Sequence, residues 1–480
     1  MNTTTLPIAP DLFWALTTLG LVLLLSVLIY GFLFKPSGKY DPPLERLRVK
    51  LHLEILHPAL FAFSVIIWGL LFLSLTLGIL WAIWSIIFTG MPTDSEATWD
   101  FRFALAKLTA LAAVLGAVVA LPFTVWRIRL THQQTEIADA ALYNDKINAA
   151  VESLYARRQT TRVVTSGDTE QVLTEWEDDI LKRSAAIDRL EGLVHERPSE
   201  APRIASMLSI YVRELSRENP PQDHPRQAWL RLVEPEDDSP PMSEEQALHH
   251  LGLDRDDVSI ETLVAWAHGL RTVRADMEKA AQTLGRLRDI PGVVADDIKI
   301  DLREANLRGF DLKGLNFNGA LLTNARMEGA NLFDAQMEKA SLSEARIEGA
   351  ILSGARMGRA FLDEARMEGT YFFRAWMERA NLEGARMERA VLFMVRMKEA
   401  DLNMARMQGA YLGGAQMEGA YLDRTRMDDS TDLTDALLHG ASVRFVDETT
   451  LALLRPHLND MFGDGSVNLP PEERPAHWPD

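Results

Sequence analysis

The chain contains no cysteine, which excludes disulfide frameworks, thiolate metal sites and cysteine nucleophiles. It lacks an excess of positive charge: 50 Lys and Arg stand against 68 Asp and Glu, for a net charge of −18. Broad electrostatic attraction to nucleic acid is therefore not expected. Residues 1–10 carry no basic side chain, and no small-x-small cleavage site follows the first apolar run, so a secretory signal does not fit. No phosphate loop, nucleophile–base pair or metal-ligand spacing is present. No enzyme activity, catalytic residue, cofactor or metal is expected. The long apolar runs all fall before residue 127.

Within that region, residues 12–34 are uncharged and long enough to cross a hydrocarbon core of about 30 Å. Two further stretches lie at about 60–88 and 103–126, so residues 1–126 are expected to form a membrane domain with three transmembrane helices. The loop after the first stretch holds Lys35, Lys39, Arg46, Arg48 and Lys50, and Arg127 and Arg129 follow the third. The loop between the second and third holds Asp94, Glu96 and Asp100 with Arg102 as its one basic residue. Basic loops stay inside. The expectation is a multi-pass protein of a cell inner membrane, with the N-terminus periplasmic, the C-terminal region cytoplasmic and the lipid bilayer as one partner. Lys107, near the start of the third stretch, reads as a side chain that snorkels to the interface.

Residues 127–297 read as a cytoplasmic acidic helical domain; 168–261 alone hold 23 acidic against 10 basic residues. Apolar spacing marks helices within 127–160, around Ile180–Leu193 and Ile204–Leu215, and a long one over 259–289. Residues 234–241 (EPEDDSPP) break the pattern, and Ser243 with Gln246 forms a capping box for a further helix. His249 and His250 are adjacent and point to different helix faces, so they do not make a ligand pair with nearby acids. The acidic runs read as solvated faces, or as the complement of a basic patch.

From about 298 to 430 the chain repeats every five residues. Ala recurs at every fifth position from 320 to 365 and resumes at 375, and a larger apolar residue follows each by two. Period five suits neither a helix nor a flat strand. It suits a coil with four five-residue sides, two positions per side pointing inward. The large inward residue alternates, with Leu at 322, 332, 342, 352, 362, 382, 392, 402, 412 and 422 and Phe at 372. Met stands at 327, 337, 357, 367, 377, 387, 397, 407, 417 and 427, with Ile at 347. Two Leu sides thus alternate with two Met sides, and the unbranched Met reads as core filler.

The runs Ala305-Asn-Leu-Arg-Gly, Ala330-Asn-Leu-Phe-Asp, Ala380-Asn-Leu-Glu-Gly and Ala400-Asp-Leu-Asn-Met resemble the pentapeptide-repeat family, whose consensus is A(D/N)LXX. TVWRIRLTHQQ after the third apolar stretch and VRADMEKAAQTLGRL before the repeats look like segments of its membrane-anchored members. The resemblance implies a right-handed quadrilateral β-solenoid with about twenty residues per coil and inward Ala and Leu/Met. The fold class expected is α plus β-solenoid: three transmembrane helices, a helical linker domain, the solenoid over 298–430 and a C-terminal cap and tail over 431–480.

At twenty-residue intervals the position before Met or Ile on one side reads Arg326, Arg346, Arg366, Arg386, Arg406 and Arg426. The position after it reads Glu328, Glu348, Glu368 and Glu388, then Gln408 and Asp428. Cross-pairing between the columns offsets repulsion within each, making a charge ladder that pins and solubilises the face. The same columns are a candidate protein-binding face, and Trp376 on the opposite Met side is a candidate anchor. Phe361, Tyr371, Tyr411 and Tyr421 add aromatic surface. Residues 259–297 are expected to cover the first end of the solenoid and 449–458 the last, with the Pro-rich tail from 469 disordered.

The function expected is a membrane-anchored scaffold that presents the solenoid to unknown protein partners, with homo-oligomerisation left open. One alternative is a DNA-mimic-type regulator of a topoisomerase or other nucleic-acid enzyme. Against it, residues 302–430 balance 18 basic with 19 acidic side chains, whereas mimicry requires a strongly anionic solenoid. A second alternative is a regulatory subunit of a membrane transporter or channel.

Overall fold

The computed structural model describes residues 48, 57–88, 95–166, 169–235, 239–272, 274–470 and 472–479. They fall in two compact units, residues 1–143 and 144–480. The apolar stretch 12–34 lies outside the described residues.

The first unit holds helix α1 (Pro58–Phe88) and most of helix α2 (Ser95–Leu154). Each carries a segment long and apolar enough to cross a membrane, Phe63–Phe88 and Thr98–Leu154, with mean hydropathies of 2.3 and 2.2. The hydroxyls of Ser64, Thr76 and Thr109 donate to carbonyls four residues back, so these polar side chains are satisfied within their own helix. The Trp68 indole donates across to the Val118 carbonyl at 2.9 Å. The Lys107 ammonium lies over the Phe103 ring, 4.5 Å from its centre.

The second unit departs from the all-helical linker expected before the repeats. After α2 ends, strands β1 (Arg157–Ser166) and β2 (Thr169–Asp178) form an antiparallel hairpin with Arg157 opposite Asp178. The run Thr160, Thr161, Val163, Val164, Thr165 is β-branched, which costs a helix side-chain freedom and suits a pleated ribbon.

Helices α3 (Ile180–Glu196), α4 (Ala201–Glu218) and α8 (Ala275–Leu287) then pack together. Ile187, Leu190, Ile204, Leu208, Leu284 and Leu287 are buried at their centre. Between α4 and α8 come α5 (Pro225–Val233), α6 (Glu244–Leu251) and α7 (Ile260–Gly269). The Ser243–Gln246 capping box at the start of α6 is formed. The single long helix expected over 259–289 is instead α7 and α8, because Leu270 turns to an extended conformation where its backbone meets Gly309.

Coils of the solenoid stack through parallel bridges at twenty-residue spacing, as in Arg326–Arg346–Arg366–Arg386. Each coil hands hydrogen bonds to both neighbours: the Met327 amide donates to Arg346 O at 2.7 Å, and the Arg346 amide to Ala325 O at 2.9 Å. The inward Ala, Leu and Met columns are almost wholly inaccessible to solvent. The repeats do not stop at 430. One extra residue enters near 430, so the spacing becomes 21 at Tyr411–Asp432 and Gln416–Leu437, and bridges continue to Ser442–Phe462. The buried Thr431 hydroxyl accepts from the Gly409 amide and absorbs the slip.

Helix α8 covers the first coil: the Gln282 amide donates to Asp311 O and the Asn316 amide to Gly285 O. Helix α9 (Glu448–Leu454), capped by Asp447, covers the last, with the buried Thr450 hydroxyl accepting from the Met427 amide. The tail is packed where disorder was expected. Trp478 is buried against Gly463, and its indole donates to Met461 O at 2.8 Å.

Candidate interaction faces

The arginine and glutamate columns come together as stacked neighbours, but the face they form is not open. Helices α5 and α7 of the same chain lie on it. Asp223, just before α5, sets one carboxylate oxygen between Arg326 at 2.8 Å and Arg346 at 3.1 Å. Arg366 donates to the Gln227 side chain, whose amide donates in turn to Glu348 at 2.9 Å. Glu234, just after α5, bridges Arg386 at 2.9 Å and Arg406 at 2.8 Å. Arg426, at the end of the column, is exposed. The basic complement of the acidic segment is therefore within this chain.

Beneath this cover Glu328, Glu348 and Glu368 are buried and Glu388 is half-buried. Arg326 Nε donates to Glu328 at 2.7 Å. One carboxylate oxygen of each of the four glutamates has no hydrogen-bond partner. Burial, reinforced by the charges of Glu328 and Glu368, raises the Glu348 carboxyl well above the usual carboxylate range. Burial and the Glu368 charge push Glu388 up to about 7. The covering acids shift the other way. Burial acts to raise Asp223, yet the arginine charges and the Arg326 hydrogen bond outweigh it and hold it low. Arg386 and Arg406 do the same for Glu234.

A third column, two positions after Leu307, Met327, Ile347 and Met367, is what lets α7 approach. It reads Gly309, Gly329, Gly349, Gly369, and each has positive φ. A Cβ on Gly329 would overlap the Ala267 carbonyl, and one on Gly369 would overlap the Val264 side chain. The next member, Arg389, pairs with Glu261 in the first turn of α7. Sequence reasoning missed this contact, although the signal was present as a glycine at four successive twenty-residue steps.

Other sides stay open. Trp376, 41% exposed, is sandwiched between Arg356 and Arg396, whose guanidinium carbons lie 5.5 and 4.1 Å from its ring centre. Around the adjoining corner, exposed Phe373 and Phe393 stack 6.1 Å apart with their planes 6° from parallel. Ile351, Tyr371, Tyr411 and Met394 extend this apolar surface, and the His268 ring of α7 lies 5.8 Å from that of Tyr371, tilted by 32°. Phe361 and Tyr421 are exposed on a different side. Among the described residues, no group of three or more His, Asp or Glu is arranged to hold a metal ion.

Parallel single-residue bridges every twenty positions, with inward Ala and alternating Leu and Met, match the family profile described as pentapeptide repeats. Its eight copies fall over residues 300–338, 330–369 and 340–379. The chain carries pentapeptide repeats. Its repeat domain is accordingly a right-handed β-solenoid. Among solved structures it is similar to HetL, a pentapeptide-repeat protein involved in heterocyst differentiation regulation from the cyanobacterium Nostoc sp. strain PCC 7120. Identity is 27% over 31% of this chain and 72% of HetL, with a TM-score of 0.14. QnrB1, a plasmid-mediated fluoroquinolone resistance protein, is 20% identical over 33% of this chain and 87% of its own, with a TM-score of 0.22. A pentapeptide-repeat protein of the Arabidopsis thaliana thylakoid lumen is 22% identical over 22% of this chain and 72% of its own, with a TM-score of 0.18. No curated protein matches the chain.

Proposed function

We propose that this protein is a membrane-tethered scaffold. Three spans, at about 12–34, 60–88 and 103–126, anchor it in an inner membrane with the solenoid on the cytoplasmic side. The solenoid docks a protein partner through the face centred on Trp376 and Phe373. The observation that carries this reading is the exposed aromatic surface on a rigid frame, where Trp376 is held between two arginines and Phe373 is stacked on Phe393. Buried aromatic anchors flanked by arginine dominate the energetics of many interfaces, and a rigid frame loses little entropy on binding. The arginine–glutamate face is less suited to a partner in this state, since α5 and α7 already occupy it. A DNA-mimic role requires a strongly anionic solenoid. The near balance of charge over 302–430 and the arginine column both count against it.

Crosslinking in intact cells, read by mass spectrometry, tests the docking face. Trp376→Ala combined with Phe373→Ser is expected to reduce capture of a specific partner by about tenfold or more, the loss of a single strong anchor. Unchanged capture at equal expression would remove the docking role from this face. Specific capture of topoisomerase subunits by the wild-type chain would favour the DNA-mimic alternative.

A further inference from the structure

The four stacked glutamates beneath α5 and α7 are an unusual thing to bury. Coils repeat at about 4.8 Å, so Glu348 and Glu368 each have a carboxyl on the coil above and another on the coil below. Arg308 occupies the same column position one coil before Glu328, and Gln408 one coil after Glu388. The arginines alongside are engaged from above by Asp223, Gln227 and Glu234. Every glutamate keeps one oxygen that nothing in the protein satisfies. An ionised carboxylate without a partner in a dry site is costly, whereas the protonated acid is tolerated.

We propose that α5–α7 form a proton-governed cover over the arginine–glutamate face, seated while the buried Glu348 and Glu388 carboxyls hold protons and released as they ionise. The proposal does not depend on the identity of any partner. The glycine column makes the close approach possible, and the ladder makes it conditional.

The direction follows from which state binds more protons. Relative to an ordinary glutamate at 4.5, burial and the neighbouring carboxylates hold Glu348 well above that value and push Glu388 up to about 7 when covered. The covered state thus retains protons that the open state has lost. Docking weakens as pH rises from about 4.5 through 7. Other groups at the contact act elsewhere. Asp223 and Glu234 are held below the usual carboxylate range, so their favourable contribution is lost only at acid pH. Burial and the neighbouring Arg226 lower His224, so neutral His224 opposes the trend only below its ordinary value of 6.5. Arg226 is itself held by the Val258 carbonyl, Arg231 pairs with Asp223, and Glu261 with Arg389. His268 sits beside Tyr371, outside the ladder.

Above pH 6.5 the carboxyls are therefore the groups to watch. The absence of cysteine permits a clean test on the full chain in nanodiscs, with spin labels at Ala265→Cys on α7 and Glu383→Cys on the solenoid. Pulsed electron resonance should show one short distance at pH 6.5 and a growing longer population by pH 8.5. Glu388 alone supplies about a fourfold change in the docking constant across that interval, and Glu348 adds to it. Combining Glu348→Gln, Glu368→Gln and Glu388→Gln keeps the acceptor for Gln227 and should fix the short distance at every pH. A wild-type distribution that does not change between pH 6.5 and 8.5 would overturn the proposal. So would a pH response that survives the three glutamines.

Discussion

Gly329→Ala is expected to lift α7 from the solenoid, whereas Gly314→Ala, the same substitution at the same kind of turn, is not. Both positions have φ near +65°, so each alanine bears a left-handed backbone penalty of about 1 kcal/mol or somewhat more. A Cβ at Gly314 meets open space, while one at Gly329 meets the Ala267 carbonyl, which belongs to a helix backbone and has little room to yield. Either the helix moves and loses its contacts, or the coil distorts and loses a ladder hydrogen bond. The added cost at Gly329 should exceed about 2 kcal/mol. It should appear as faster hydrogen exchange confined to residues 260–269, with the coils still protected. Equal protection of α7 in the two variants would mean that the glycine column does not control the contact.

Asp276→Ala is expected to be the most damaging single change in the helical bundle. Asp276 is completely buried at the start of α8. It accepts from Arg274 at 3.0 and 2.7 Å and from the Tyr211 hydroxyl at 2.7 Å, and Arg183 approaches to 3.8 Å. Removing it leaves Asp178 as the one carboxylate serving both Arg183 and Arg274 and deprives the buried Tyr211 phenol of its acceptor, a loss of about 3 kcal/mol. Thermal unfolding of the full chain measures this directly. The pH dependence has a definite sign. Burial alone would raise Asp276, but the Arg274 and Tyr211 hydrogen bonds and the Arg274 charge hold it below its ordinary value. Its stabilisation is therefore present above the usual aspartate range and disappears as pH falls through the lowered value. Asp276→Ala should remove that acid-side component of the unfolding profile. A variant that unfolds within about 1 kcal/mol of wild type would make the network dispensable.

The inward residues of the coils were the most legible part of this chain. Ala at every fifth position and a larger apolar residue two further on can satisfy one geometry, and the structure buries them accordingly. The arginine and glutamate columns were legible as columns. Their covering was not, because periodicity reports which side of a coil a residue faces and carries no information about what lies on that side. Two signals were available and went unread together: the surplus of acid in 168–261 and the glycines at 309, 329, 349 and 369. Either alone is ambiguous, since acidic helices are usually solvated and glycine is common in tight turns. The hairpin at 157–178 was lost for a simpler reason. Its alternation is carried by threonine and charged residues rather than by a hydrophobic stripe, so a search for apolar spacing passes over it. The slip near 430 escaped because one inserted residue shifts every later column, and a fixed five-residue search stops where the repeat merely changes phase.

That phase has a consequence for how this gene could grow or shrink. A bare solenoid tolerates duplication or loss of a whole twenty-residue unit, since each coil touches only its neighbours. Here Asp223 is matched to the arginines at 326 and 346, and Glu234 to those at 386 and 406, three coils further along. Helix α5 between them is a ruler of fixed length. Gaining or losing one coil between 346 and 386 would put the two carboxylates about 4.8 Å out of step. Coil number in that stretch is therefore frozen by a helix that contributes nothing to the coils' own interior, while the stretch beyond 406 is free to vary.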